Sequence, residues 1–310
     1  MWNVQDSGID PDALRKFIDE QIYTLPGTDA HRDVFSILLT GSRACGAHKP
    51  NSDVDLDVLC PQSVYDSVHR ASLEAGLVNS RSSFFRQQAD WRRYFGADWI
   101  PHFKINTLES VQRQFQEHDD VALWIWTNAR IITDPNGQFQ RVRDGFQGYP
   151  RNVLVRKLKY RWLLCWHWAI NVYPLHHSSD DELLPAALSF YNATSELLKV
   201  FFLVEGRPFP YAEKLSGLAG LTKLGQELGP VVQRYLDIAA GNAEPDLSPW
   251  QRLDRAISLF HDDNDKNPDC QHVDAACFKA MVACGMDADW LENDYENMDE
   301  LLLGKLGPPP

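Results

Sequence analysis

No apolar run in this sequence approaches the length of a membrane-crossing helix, about 18 residues or more. The opening stretch, MWNVQDSGID, is polar and acidic, which predicts no secretory leader and makes a cytoplasmic location the expectation. Cysteines are few and dispersed, at positions 45, 60, 165, 270, 277 and 284, so reduced thiols rather than a disulfide framework are expected. Cationic residues are outnumbered, 30 against 43 acidic, for a formal charge of −13. The deficit is uneven: residues 1–150 carry 15 basic against 20 acidic, 151–250 carry 10 of each, and 251–310 carry 5 against 13. Nothing here resembles the basic surface that neutralises a phosphate backbone, which argues against nucleic acid as partner and suits a small, cationic acceptor. Internal repeats are absent.

With 310 residues and 44% hydrophobic content, the chain can bury a substantial core and is expected to form two domains. The first holds the most informative stretch. Val34–Leu39 is an apolar run broken only by Ser36, of the length of a buried strand. A Gly41-Ser42 turn follows, then Gly46, a polar loop from His48 to Asn51, and the alternating run Asp53-Val54-Asp55-Leu56-Asp57-Val58. Successive strand side chains point to opposite faces, so Asp53, Asp55 and Asp57 share one face while Val54, Leu56 and Val58 enter the core. Three carboxylates in a row weaken a sheet unless a cation lies against them. Hard divalent ions take oxygen ligands, and Mg²⁺ is commonly held by one or two carboxylates plus substrate phosphates. A Gly-Ser turn supplies small side chains, a hydroxyl and backbone N–H groups suited to phosphate oxygens. Strand, phosphate turn and acidic strand together point to metal-dependent phosphoryl or nucleotidyl transfer. GSRACG by itself has neither the lysine of a Walker A loop nor the glycine pattern of a dinucleotide fold.

Gly41-Ser42, Gly46 and Ser52-Asp53-Val54-Asp55-Leu56 resemble the signature of the polymerase-beta-type nucleotidyltransferase superfamily, in its minimal and antibiotic-nucleotidyltransferase branches. The resemblance implies an α+β protein: a mixed-sheet catalytic domain over residues 1–150, then an all-helical substrate-binding domain over 151–310. It also implies one Mg²⁺, more readily two, held by Asp53 and Asp55 with Asp57 as a further candidate, and ATP or another nucleoside triphosphate as donor. Gly41, Ser42 and Arg43 would contact the phosphates. In similar two-domain enzymes a helical domain closes over the nucleotide and presents an Arg/Lys-bearing segment. Glu205–Lys214, EGRPFPYAEK, is such a segment, with Lys214 and then Arg207 as candidates, and a charged helix-capping loop as the alternative. Glu196 and Glu205 are candidate acceptor-side bases. The acceptor implied is a small hydroxyl-bearing molecule, with a protein acceptor or a noncatalytic nucleotide-binding role as alternatives.

The sequence departs from that family in one place. Relatives usually supply a third carboxylate from the strand that here reads WIPHFKINTL, residues 99–108. With Phe103 and Ile105 facing the core, the polar side carries His102, Lys104 and Asn106; the nearest acids, Asp98 and Glu109, lie near the ends. Asp57 could compensate, the base could come from the second domain, or activity could be lost.

Elsewhere, Pro11–Tyr23 spaces Leu14, Phe17, Ile18 and Ile22 as a helix, and Val64, Val68, Leu73 and Leu77 mark the inward face of another. Residues 80–98 mix Arg81, Arg86, Arg92 and Arg93 with Phe84, Phe85, Trp91, Tyr94 and Phe95, either a base-stacking, phosphate-clamping patch or a helix whose aromatics face inward. ARIITDPNG, residues 129–137, reads as a strand ending in a turn. Long helices are expected over Val153–Val172 and Asp180–Val204, with shorter ones over Pro230–Ala240 and Trp250–Phe260.

Overall fold

The computed structural model describes residues 7–28, 30–79, 84–86, 89–96, 99–172, 183–260, 267–293 and 297–298. Expectations for Arg81, Asp98 and residues 180–182 lie outside them. The chain divides into two compact units, residues 1–147 and 148–310.

The first unit is built on a four-stranded mixed sheet. Its strands are β1 (Ser36–Thr40), β2 (Val54–Cys60), β3 (Pro101–Thr107) and β4 (Arg130–Thr133), in the order β3-β2-β1-β4. β1 runs antiparallel to β2 and β4, whereas β2 and β3 are parallel, with Asp55 opposite His102 and Asp57 opposite Lys104. The alternation in β2 and β3 behaves as the sequence predicts: Val54, Leu56, Val58, Phe103 and Ile105 are buried in one core cluster with Phe35, Ile37 and Leu39.

That core face is covered by α1 (Pro11–Phe17), started by Pro11 at the first helical position and by the Asp10 carboxylate, which accepts from the Asp12 N–H at 3.0 Å. The helix continues as a wider π turn over Ile18–Ile22, and Leu14, Phe17, Ile18 and Ile22 are all buried. Phe17 meets Trp91 and Tyr94 edge-on at 5.5 and 5.3 Å between ring centres, with Phe103 at 6.2 Å. Truncating it to Ala would cost about 3–5 kcal/mol. Phe85, Trp91, Tyr94 and Phe95 of the Arg-rich stretch therefore belong to the core, whereas Phe84 is half exposed and Arg93 lies outside in ion pairs with Glu20 and Asp90. Between the strands lie α2 (Gly41–Ala44), α3 (Gln62–Glu74) and α4 (Arg92–Phe95). In α3 the inward row is Val64, Val68 and Ser72, four residues apart, so Leu73 turns outward at 39% exposure, contrary to the sequence expectation. After β3 come α5 (Leu108–Gln116) and α6 (Asp120–Asn128), packed on β3 and β1 respectively; α7 (Gln138–Asp144) follows β4. Asp134 closes the turn before α7: its carboxylate accepts from Ser36 Oγ at 2.6 Å and from the Gln138 and Gln140 N–H groups at 3.0 Å.

The second unit is helical. α8 (Arg151–Val172) and α9 (Leu183–Leu203) pack along each other, with Leu158, Trp162, Leu163, Phe190, Leu197 and Phe201 in the buried seam. α10 (Ala212–Leu218), α11 (Lys223–Ala240), α12 (Pro249–Ile257), α13 (Pro268–Ala283) and α14 (Ala288–Glu292) complete it. α11 starts seven residues before Pro230, because Thr222 Oγ1 caps it by accepting from the Gly225 N–H at 2.9 Å and Pro230 lies on the exposed face. No helix among the described residues is long and apolar enough to cross a membrane.

Candidate active site

The adjacent ends of β1 and β2 carry the site of the first unit. Thr40 is the register partner of Asp55, so the chain leaving β1 turns directly beside that carboxylate. Gly41 makes the turn with φ +67°, in the left-handed region. A Cβ on Gly41 would lie 2.3 Å from Asp55 Oδ2. Glycine is thus required twice over, by the backbone and by the carboxylate lying across its Cα. Gly41 thus meets Asp55, Asp53 stands two residues before it just ahead of β2, and Ser42 is buried at the start of α2.

The three aspartates face quite different surroundings. Asp53, just ahead of β2, has a side chain 45% exposed, with His102 Nε2 at 3.5 Å from its Oδ2. Asp55 is half-buried, and its pKa is raised, chiefly by burial, with the neighbouring Asp53 and Asp57 charges adding; His102 and Lys104 oppose the rise. Asp57 is 1% exposed and fully engaged. Its carboxylate accepts from Thr40 Oγ1 at 2.9 Å and Asn106 Nδ2 at 2.7 Å, and Lys104 Nζ lies 3.3 Å away. Burial raises its pKa, and Lys104 is the largest opposing influence. Asp57 was expected as a third metal ligand; instead it is an internal anchor between β1, β2 and β3. Among the described residues no group of three or more His, Cys, Asp or Glu side chains is arranged to hold a metal ion.

Arg43 also departs from expectation. It is 2% exposed, and its guanidinium donates to main-chain carbonyls: Nε to Ser52 and Asp53 at 3.0 and 3.1 Å, Nη1 to Ser7 at 2.8 Å, Nη2 to Ser52 at 2.6 Å. Its Cζ lies 3.8 Å from the centre of the Trp99 ring. Burial lowers its pKa, while Asp53 and Asp55 act in the opposite direction. The fork that could have gripped a phosphate instead fastens the loop carrying Asp53.

In the second unit, Glu196 is 6% exposed on α9 and bonded by two cations, Arg161 Nη1 at 3.1 Å and Lys199 Nζ at 2.5 Å. Both oxygens are taken, which removes it as an acceptor-side base. Glu205 accepts from the Lys223 N–H at the start of α11 and lies 3.5 Å from Arg207 Nη1, which in turn donates to the Leu221 carbonyl at 2.6 Å. Glu205 and Arg207 thus tie the loop after α9 to α11, the capping alternative. Lys214, half-buried on α10, has no ion pair among the described residues. Thr40, Arg161 and Lys199 escaped the sequence reading. Only Lys199 left a local signal, three residues after Glu196 on one helix.

Residues 28–122 match the family model of a nucleotidyltransferase domain, a span that holds β1, β2 and β3 together with Gly41, Ser42, Asp53 and Asp55. Residues 115–214 match a domain of unknown function, DUF4037. A crystal structure of a nucleotidyltransferase-like protein from Exiguobacterium sibiricum 255-15 aligns with a TM-score of 0.44 at 10% identity, over 95% of this chain and 91% of that one. No curated protein matches the chain.

Proposed function

We propose that this chain, which carries a nucleotidyltransferase domain at residues 28–122, transfers a nucleoside monophosphate from a nucleoside triphosphate to a hydroxyl of a small acceptor. ATP is the proposed donor and Mg²⁺ the proposed ion. The observation that carries this reading is the Asp55 carboxylate lying across Gly41, with Asp53 two residues away on the same face. The glycine turn and a pair of oxygen ligands then adjoin one another.

The donor set suits a hard divalent ion: two carboxylates, one of them 45% exposed, leaving phosphate oxygens and water to complete the shell. Asp53 and Asp55 would hold it, and when bound it supplies charge neutralisation for the triphosphate and the departing pyrophosphate. The chain's own residues do the rest. Gly41 allows the main chain to approach the phosphates without a side chain intervening. His102 steadies Asp53, and Arg43 holds the Ser52–Asp53 main chain from behind. In the step proposed, the acceptor oxygen forms a bond to the α-phosphorus, the bond to the bridging oxygen of the β-phosphate breaks, and the hydroxyl proton is released with pyrophosphate. The formal charge of −13 favours a cationic acceptor over a polyanionic one.

A second reading, nucleotide binding without transfer, is favoured by one feature: β3 sets His102, Lys104 and Asn106 against the acidic row, with no carboxylate among them. One experiment separates the two. Purified protein is incubated with Mg²⁺ and each nucleoside triphosphate over a panel of amino-alcohol antibiotics and candidate proteins, with pyrophosphate and acceptor mass as readouts. Transfer lost in Asp53→Asn and Asp55→Asn establishes the first reading. Nucleotide binding without turnover establishes the second, and the absence of both overturns the site.

A further inference from the structure

We infer that Lys104 is a fixed cation built into this site, so that the chain binds a single divalent ion, through Asp53 and Asp55, and uses Asp57 to seat the lysine. The inference rests on the nucleotidyl-transfer reading above and deepens it. Three carboxylates spaced two apart on one strand face offer an obvious cradle for two ions. β3 removes one of them. In the parallel register Asp57 faces Lys104, and its two oxygens are engaged by Lys104 Nζ at 3.3 Å, Asn106 Nδ2 at 2.7 Å and Thr40 Oγ1 at 2.9 Å. At 1% exposure Asp57 can offer no oxygen to an incoming ion without losing one of these donors.

The lysine is itself held in place. Its side chain is 24% exposed, with Nζ 5.3 Å from the Phe84 ring centre and 6.0 Å from that of Trp126. An ammonium gripped by a carboxylate and flanked by two aromatic faces cannot swing away to admit a second ion. It also lowers the charge of the acidic row from −3 to −2, the charge one divalent ion neutralises. Lys104 is therefore a positioning residue: it supplies permanent positive charge beside the carboxylates and leaves a one-ion site.

The test is Mn²⁺ titration of the whole chain, without nucleotide, with free Mn²⁺ followed by electron paramagnetic resonance. The expected result is one Mn²⁺ per chain, lost in Asp55→Asn. Asp57→Asn, checked for folding by circular dichroism, still binds one. Lys104→Gln is decisive on mechanism. Removing a nearby positive charge tightens Mn²⁺ binding about three- to tenfold, whereas a lysine that merely braced the sheet would, on replacement, leave binding unchanged or weaken it. Two ions on the unaltered chain, loss of the ion from folded Asp57→Asn, or unchanged or weaker binding by Lys104→Gln would each overturn the inference. The pyrophosphate assay reads the parent proposal separately. Two ions with transfer intact defeats only the single-ion inference, while no ion and no nucleotide binding defeats both.

Discussion

Gly41→Ala is the sharpest probe of the turn. The alanine must take φ +67°, which costs a non-glycine residue about 1–2 kcal/mol. Its Cβ must also find room where Asp55 Oδ2 stands 2.3 Å away. A carbon–oxygen contact needs over 3 Å, so the carboxylate has to move by about 1 Å or the turn has to open. Relieving that contact adds about 1 kcal/mol, for a total of about 2–3 kcal/mol; at about 2–4 °C per kcal/mol for a unit of about 150 residues, thermal unfolding should fall by about 4–12 °C. If Asp55 holds the ion as proposed, displacing its carboxylate by about 1 Å should lower turnover about 10²-fold. The informative experiment is a double-mutant cycle with Asp55→Ala, read by denaturant unfolding. Without the carboxylate the added methyl meets no obstacle and only the backbone cost remains, so the two substitutions should couple by about 1 kcal/mol. If Gly41→Ala costs the same in both backgrounds to within about 0.5 kcal/mol, the carboxylate does not lie on the turn and the site as described is wrong.

Other consequences can be measured independently. Asp55→Asn should abolish transfer yet raise thermal stability at neutral pH. The folded carboxyl titrates above its unfolded value, so the folded state holds the proton more tightly and stability falls as pH rises from about 4 through the folded pKa. Asparagine escapes that loss, and its advantage should fade as pH is lowered toward 4; an advantage that grew on acidification would reverse the sign of the argument. Glu196→Ala leaves Arg161 and Lys199 largely buried without their shared carboxylate, at a cost of about 3–5 kcal/mol. The pH dependence of transfer should stay unchanged, since this carboxylate is no base; a lost basic limb in the profile would contradict that. Among the thiols, burial pushes Cys60 up to about 12 and Cys277 higher still, whereas Cys45 is partly exposed. Iodoacetamide at pH 8 should mark Cys45 in the native protein and spare the other two, as peptide mass mapping would reveal.

Much of the candidate site is legible in the sequence. Strand side chains alternate by covalent geometry alone, so the shared face of Asp53, Asp55 and Asp57 and the inward face of Val54, Leu56 and Val58 follow from spacing. The Gly41-Ser42 turn, the turn at Asp134–Gly137 and the inward set Leu14, Phe17, Ile18 and Ile22 are likewise local patterns of period or turn chemistry. The departures at the charged residues involve partners distant in sequence. Asp57 becomes an anchor because a parallel register brings Asn106 and Lys104 to it, the former from 49 residues away. Arg43 turns inward because the Ser7 carbonyl, 36 residues earlier, and the loop before Asp53 both need a donor. Glu196 is spent on Arg161, 35 residues back on another helix.

Sequence by itself thus determined which residue types share a face and where the chain must turn, because both depend on dihedral angles and neighbouring side chains. Tertiary structure alone decided which charges remain free for a ligand. A buried carboxylate or guanidinium must find its counterpart wherever the fold brings one, and that pairing is a property of strand register and helix packing rather than of spacing along the chain.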